Sequence, residues 1–384
     1  MRTTRLALIP AAALALAAPL TACSSEDTST ESTQEVAEET AVASPDEAAE
    51  ETTDEAATQA SGEAVTVVAT TTMLGSVAAE IVACANTGST VTTLMPIGAD
   101  PHDFSPSSAQ VAEMVQADVV VANGLGLEAG LDDALENAAS DGATVVEIAD
   151  MVDPIPFGSA EEGHSHDDEH SDEDHSDEAK DDDHDDDHSH DEGDDHSHDE
   201  AKDDDHDHGS EDPHFWFDMN RMATAAQIIG DELATTGGQV YADCGAQVAD
   251  DIRAAEADVR AALESVPADQ RILVTDHDAL GYLADAYGYE IAGTVIPAGT
   301  TLAEPSSADL AELVEVMQDE GVRVVFTNTA DPSALSDAVA AEVGGDVQVV
   351  ALYVGSLGGP DTGAEDYISM MRTNAGLISS ALTS

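Results

Sequence analysis

The histidines of this 384-residue chain fall into two groups that differ in spacing. Three stand far apart in the sequence, namely His102, His214 and His277. The other eleven crowd into one acidic stretch, as His164, His166, His170, His175, His184, His188, His190, His196, His198, His206 and His208. A neutral imidazole is a ligand suited to zinc, copper or nickel. Both groups therefore predict metal binding, but through different kinds of site.

The three separated histidines all have aspartates close by. His102 and His214 each end an Asp-Pro-His sequence, and His277 stands between two aspartates. His102 and His277 also follow predicted strands, and ligands of open α/β sheets bind at the carboxyl ends of strands. His214 follows the acidic stretch on a loop that the pattern does not place. A single histidine is more often structural than a ligand, but three in this setting predict one shared metal site.

The acidic stretch, residues 158–212, is predicted to be a disordered loop. It contains near-repeats of His, Asp and Glu without apolar periodicity, so it cannot bury enough surface to fold. An acidic run is commonly a solvated spacer. Paired histidines among carboxylates instead favour a low-affinity metal loop, because a flexible chain loses entropy when it chelates. Whether such a loop feeds the main site, senses metal or buffers it stays open.

The amino terminus predicts export and attachment of a lipid. Arg2 and Arg5 precede an apolar run over residues 6–20, which is shorter than the ~20 residues of a membrane-spanning helix. The Leu-Thr-Ala-Cys sequence that follows resembles a bacterial lipobox. It implies that residues 1–22 are a lipoprotein signal peptide and that Cys23 carries the lipid, on the extracytoplasmic face of the bacterial cell membrane. The alternative is an ordinary secretory signal with a chance cysteine.

Strong acidity dominates the rest of the composition. Residues 23–63 are acidic and poor in large apolar residues, which predicts a disordered tether. Over the whole chain, 81 acidic residues against 10 basic ones give a formal net charge of −71. Binding to nucleic acid or to an anionic membrane surface is excluded, because both require patches of Lys and Arg. We therefore expect contact with the membrane through the N-terminal lipid.

Two cysteines follow Cys23, namely Cys84 and Cys244. In an exported protein, such a pair favours one disulfide over two free thiols. Because the sequence does not show that the two residues are close, the Cys84–Cys244 bond is an expectation.

The remaining chain alternates apolar strands with helical stretches in two runs. The predicted strands of the first run are 65–69, 90–95, 117–122 and 144–148. Those of the second run are 272–275, 290–293, 322–326 and 347–352. Such alternation predicts an α/β fold of two lobes, each with a parallel sheet flanked by helices. A proline-free stretch between the runs predicts one long rigid linking helix. The expected boundaries are an N-terminal lobe at 64–236, the linking helix at 237–266 and a C-terminal lobe at 267–384.

The three histidine motifs resemble those of the zinc/manganese substrate-binding proteins of ABC importers, cluster A-I. The matching segments are 100–106, 212–216 and 276–282, and the resemblance extends from about residue 65 to the end of the chain. It implies that His102 and His214 belong to the first lobe, that His277 belongs to the second, and that the metal lies between the lobes. Zinc is implied over manganese, because manganese-binding relatives usually carry a carboxylate where His277 stands.

The resemblance breaks at the fourth ligand. Many relatives supply an aspartate from a segment corresponding to residues 352–357, and this chain has Gly355 there. A water molecule is the first expectation for the fourth ligand. The alternative is a carboxylate, either from Asp361 or from the insertion.

These features predict a monomeric extracytoplasmic receptor that delivers Zn²⁺ to the ABC permease of a zinc importer. Three histidines and a water also describe a catalytic zinc. A hydrolase, however, needs a general base beside that water, and the sequence contains neither His-Glu-x-x-His nor a Ser or Cys nucleophile motif. An enzyme is therefore not expected. The alternative is a cell-surface zinc-buffering, sensing or adhesion lipoprotein whose histidine-rich loop is the working part.

Overall fold

The computed structural model describes residues 62–158, 211–330 and 334–384. The predicted signal peptide, the predicted lipidation site Cys23, nearly all of the predicted tether and the eleven loop histidines lie outside these residues. The strands are β1 (Thr66–Ala69), β2 (Thr90–Thr93), β3 (Val119–Ala122), β4 (Thr144–Glu147), β5 (Ile272–Thr275), β6 (Glu290–Thr294), β7 (Val324–Asn328) and β8 (Gln348–Leu352). The helices are α1 (Thr72–Ala85), α2 (Ser108–Gln116), α3 (Asp132–Asp141), α4 (Met219–Gly237), α5 (Val240–Glu264), α6 (Gly281–Tyr287), α7 (Ser307–Glu320), α8 (Ala334–Val343) and α9 (Tyr367–Leu382).

Each lobe contains a four-stranded parallel sheet, and the two sheets have the same topology. The strand order is β2-β1-β3-β4 in the first lobe and β6-β5-β7-β8 in the second. Central strands such as β3, with the sequence Val-Val-Val-Ala, are buried along their whole length. Helices on both faces account for this burial, as in other parallel sheets. The predicted two-lobed α/β fold is confirmed.

Helix α5 connects the lobes and contacts both of them. It ends at Glu264, two residues before the end of the predicted helical stretch. On one side it packs against α1 of the first lobe, and on the other against α9 of the second. The apolar side of the helix is buried in both contacts, so α5 is the linking helix that the sequence predicts.

Helix α4 was not predicted, although its sequence carries a helical signal. Apolar residues recur three or four positions apart on its buried face, as Met219, Met222, Ala226, Ile229 and Leu233. Asp218 caps its start by accepting hydrogen bonds from the amides of residues 220 and 221. The helix packs closely on α5, where a Cβ on Gly230 would lie 2.7 Å from the Cα of Gly245. The acidic insertion just before α4 hides the pattern, because it interrupts the alternation of strands and helices.

A disulfide joins Cys84, near the end of α1, to Cys244, near the start of α5. The two Cα atoms lie 5.8 Å apart, across 160 residues of sequence. The bond therefore ties the first lobe directly to the linking helix.

One apolar core extends through both lobes. It includes buried residues of β1, α1, α4, α5, β5 and α9, and smaller clusters lie on the far face of each sheet. Most of its side chains are aliphatic, but the consecutive aromatic residues Phe215, Trp216 and Phe217 are fully buried in it. No helix among the described residues combines the length and the apolar character needed to cross a membrane.

Candidate metal centre

His102 lies on the loop between β2 and α2. Asp100 shapes this loop, since its Oδ1 accepts a hydrogen bond of 3.1 Å from the His102 amide. Its Oδ2 accepts one of 2.5 Å from Thr301 Oγ1, on a loop of the second lobe. The amide of Gly98 also donates across the lobes, to Ser356 Oγ at 2.8 Å. The loop that carries His102 is thus fastened to the opposite lobe at two points.

His214 lies where the chain returns from the acidic insertion. The amide of Asp212 donates to the Ile155 carbonyl at 2.8 Å, so the chain re-enters beside the segment from which it left. The Oδ1 of Asp212 accepts hydrogen bonds from the His214 amide at 2.9 Å and from His214 Nδ1 at 2.7 Å. The carboxylate therefore fixes the ring of His214. His102 ends the same Asp-Pro-His sequence, but Asp100 bonds to the backbone amide of His102 and not to its ring.

His277 lies on the loop after β5, four residues before α6 begins. Asp276 Oδ1 accepts from the His277 amide at 2.8 Å and from His277 Nδ1 at 2.9 Å. Asp276 Oδ2 accepts from the Asn328 amide at the end of β7, at 2.7 Å. The neighbouring aspartate is thus the residue that orients the third ring.

The three histidines converge between the lobes. Their ring centroids are 5.4, 5.5 and 5.4 Å apart, and each ring offers a nitrogen within 4.8 Å of the other two. The Nε2 atoms of His102 and His214 lie 3.3 Å apart. Two ligands bound tetrahedrally at 2.0–2.1 Å from a zinc ion would be separated by about 3.3–3.4 Å. The three residues are 9, 1 and 1% exposed in chain order, so the rings already lie in a ligand-like arrangement shielded from water.

Burial controls the protonation of two of these rings. Burial, together with the neighbouring charges of His214 and His277, lowers the pKa of His102 to about 3. Burial also lowers the pKa of His214 and raises that of its partner Asp212 to about 7. A state in which Asp212 and His214 are both charged is therefore disfavoured.

His277 differs from the other two histidines. Burial by itself lowers its pKa, but the hydrogen bond to Asp276 and the charges of Asp276, Asp100 and Asp278 outweigh burial and raise it. Burial therefore favours the neutral form of His102 and His214, whereas the aspartates around His277 favour its protonated form.

The fourth side of the cluster is closed by Gly355 and Pro101. A Cβ built on Gly355 would come within 2.7 Å of Pro101 Cδ and 3.3 Å of Asn328 Nδ2. An aspartate at this position would require Pro101, and with it the His102 loop, to move. Asp361, the alternative ligand considered above, is exposed and is not among the residues that line the cavity.

A buried polar network lies behind the site. Glu128 Oε1 accepts hydrogen bonds from the Asn123 amide at 2.6 Å and from Thr70 Oγ1 at 2.8 Å. Asn123 Nδ2 donates to the Pro213 carbonyl at 3.0 Å, immediately before His214. Glu128 Oε2 and Asn123 Oδ1 are buried without a partner among the described residues. Burial raises the pKa of Glu128 to about 7. Glu128 lies in no motif of the sequence that would mark it as a neighbour of the site.

Two parallel-sheet lobes with imidazoles gathered between them define a class of protein, the two-lobed metal-binding receptors. Residues 67–381 match the family described as zinc-uptake complex component A, periplasmic. The chain belongs to this family, whose members are periplasmic metal-binding components of metal-uptake systems that work with ABC permeases.

Similar proteins carry both zinc and manganese in their names. A manganese-binding lipoprotein MntA of Halalkalibacterium halodurans is 24% identical over 83% of this chain and 88% of its own length. The zinc-binding protein AdcA of Streptococcus pyogenes is 27% identical over 74% of this chain and 50% of its own length. Among solved structures, the periplasmic zinc-binding protein TroA of Treponema pallidum aligns with a TM-score of 0.64 at 22% identity. That alignment covers 83% of this chain and 99% of the other, and it shows the shared fold.

Proposed function

We propose that this protein is the extracytoplasmic zinc receptor of an ABC importer, with Zn²⁺ held by His102, His214 and His277. The observation that carries the proposal is the 3.3 Å separation of two imidazole nitrogens, with the third ring facing both. The protein binds and releases its cargo as a monomer and catalyses no reaction. A lipid on Cys23 holds it at the cell membrane, within reach of the permease.

The chemistry of the ligands supports zinc over manganese. Three neutral imidazoles suit zinc, whereas manganese favours harder oxygen ligands. The two carboxylates nearest the rings, Asp212 and Asp276, are already engaged at the Nδ1 atoms of His214 and His277. They raise the basicity of the ligands rather than binding the ion directly. A water molecule completes the four ligands, because Gly355 offers no side chain.

The histidine-rich loop favours a second candidate function, a zinc-buffering, sensing or adhesion lipoprotein. Its eleven histidines would bind several ions weakly, and the lobes would then serve to display it. The loop joins the first lobe next to the site, since Pro156 and Glu211 pair as a short antiparallel bridge. In the receptor proposal the loop is an accessory.

A zinc and manganese competition titration separates the two functions. The titrated protein is the mature chain without residues 159–210, a deletion close to the bridge between Pro156 and Glu211. A single tight zinc site that prefers zinc to manganese and is lost in His277→Ala supports the receptor. If the lobes bind zinc weakly, at several sites or not at all, the result supports the second function, in which the histidine-rich loop binds the metal.

A further inference from the structure

The hydroxyl of Tyr282 joins the two lobes beside the metal centre. Tyr282 lies in α6 of the second lobe and is fully buried. Its Oη donates a hydrogen bond of 2.8 Å to the Asp212 carbonyl and accepts one of 3.2 Å from the Ile155 amide. Asp212 and Ile155 belong to the first lobe, at the two ends of the acidic insertion, where the Asp212 amide donates to the Ile155 carbonyl. One phenol of the second lobe thus holds both segments.

The ring of Tyr282 is held independently of its hydroxyl. The guanidinium carbon of Arg221 lies 5.0 Å from the ring centroid, an arrangement in which a cation and an aromatic ring attract each other. Arg221 is itself fixed in the first lobe, since its Nη1 pairs with Asp218 Oδ2 at 2.6 Å and its Nε donates to the Asp153 carbonyl at 3.0 Å. Removing the hydroxyl alone therefore leaves the ring in place.

The side chain of Asp212 also lies against the second lobe. A Cβ built on Gly281, the first residue of α6, would come within 2.8 Å of Asp212 Oδ2, a separation too short for a Cβ atom. The other oxygen, Oδ1, accepts hydrogen bonds from the amide and from Nδ1 of His214. The second lobe therefore positions both the backbone and the carboxylate of Asp212, and this carboxylate orients a histidine of the first lobe.

We propose that Tyr282 is a positioning residue for the metal centre, which holds Asp212 from the second lobe and through it fixes the ring of His214. The inference rests on the proposed three-histidine site and adds to it a contact between the lobes on which the orientation of one ligand depends. The ring of His214 is then correctly oriented only while α6 contacts the first lobe. Loss of this contact weakens metal binding although all three imidazoles remain.

Removal of the hydroxyl tests the proposal. Tyr282→Phe is prepared in the full mature chain and loaded with one equivalent of Co²⁺, whose unpaired electrons shift the Nδ1–H resonances of bound imidazoles away from the rest of the proton NMR spectrum. The resonance of His214 is the one that His214→Gln removes. In Tyr282→Phe we expect this resonance to move and its proton to exchange faster with water. Chelator competition should show zinc binding weakened about three- to tenfold, less than the loss of about 10–100-fold for a group that contacts the ring itself.

Tyr289→Phe is the matched control. Tyr289 is also a buried tyrosine of the second lobe, its Oη donates to the Leu263 carbonyl at 2.8 Å, and the guanidinium of Arg271 lies near its ring. This variant should lower the melting temperature as Tyr282→Phe does, but it should leave the His214 resonance and the zinc affinity unchanged.

Gly281→Ala reaches the same carboxylate without altering the hydroxyl. It should move the same resonance, and it gives the answer if Tyr282→Phe does not fold. The positioning role is wrong if the His214 resonance is present but unmoved in either variant, or if Tyr289→Phe weakens zinc binding as much as Tyr282→Phe. The proposed metal site itself is wrong if His214→Gln removes no shifted resonance.

Discussion

The Nε2 atoms of His102 and His214 lie 3.3 Å apart, although 112 residues separate them in the chain. The interval includes the whole acidic insertion, so the contact depends on the bridge that returns the chain at Glu211. In the metal-free protein, one imidazole N–H can donate to the other ring across this distance. A cation must replace that hydrogen bond, which it does with two stronger ligand bonds.

The carboxylate of Asp212 should be required for tight binding although it does not touch the ion. We expect Asp212→Asn to weaken zinc binding by about 10–100-fold, because it removes the charge that orients and polarises His214. Chelator competition measures the change. Asp103→Asn is the control, since Asp103 neighbours His102 in sequence but is exposed. Equal affinities in the two variants would contradict the role of Asp212.

Zinc affinity should depend on pH through two protons, not three. The pKa of His277 is raised, and the pKa of Asp212, the partner of His214, is about 7. Below pH 7, zinc binding should therefore release one proton from His277 and one from the Asp212–His214 pair. His102, with a pKa of about 3, is already neutral and loses none. The logarithm of the association constant should therefore fall with a slope approaching about two per pH unit between pH 7 and pH 5. Competition titrations of the protein without residues 159–210 would show this slope, and a flat profile would exclude the three-imidazole site.

Glu128 should make the protein less stable as the pH rises. Its pKa of about 7 in the folded state exceeds the ordinary value of 4.5, so the folded state binds the proton more tightly than the unfolded state does. Stability from this group is therefore greatest below pH 4.5 and declines as the pH rises through 7. The Glu128→Gln side chain stays neutral at every pH. The melting temperature of this variant minus that of the unaltered protein should therefore increase by a few degrees between pH 5 and pH 8. Glu113→Gln, at an exposed position in α2, is the control and should show no such trend.

The bond between Thr301 and Asp100 should slow the release of zinc. Thr301→Val keeps the shape of the side chain but removes the hydroxyl that fastens the His102 loop to the second lobe. We expect zinc to leave several times faster in stopped-flow mixing with a chelator, while the association rate changes little. Thr224→Val, on the exposed side of α4, controls for the loss of a hydroxyl. An unchanged release rate would show that this bond does not hold the loop.

Much of the fold could be read from local patterns. Strand β5 was predicted with its observed bounds, Ile272–Thr275, and both ends of α5 to within three residues, because periodicity and apolar runs are local properties. The histidines were found because residue type and neighbouring aspartates are visible in the sequence. The helix α4 shows the limit of this approach, since its regular apolar spacing was overlooked beside a long acidic insertion.

The arrangement of the site was decided by the tertiary structure. Nothing in the spacing indicates that Asp212 bonds to the ring of His214 while Asp100, in the same motif, turns to Thr301. Nor does the sequence place Pro101 against Gly355. The contacts of Asp100 with Thr301 and of Pro101 with Gly355 join segments more than 200 residues apart, and they depend on how the two sheets and α5 pack. The sequence by itself therefore determined the candidate ligands and the two lobes. Packing determined which groups orient the histidine rings, because a hydrogen bond depends on ångström distances that only the folded chain sets.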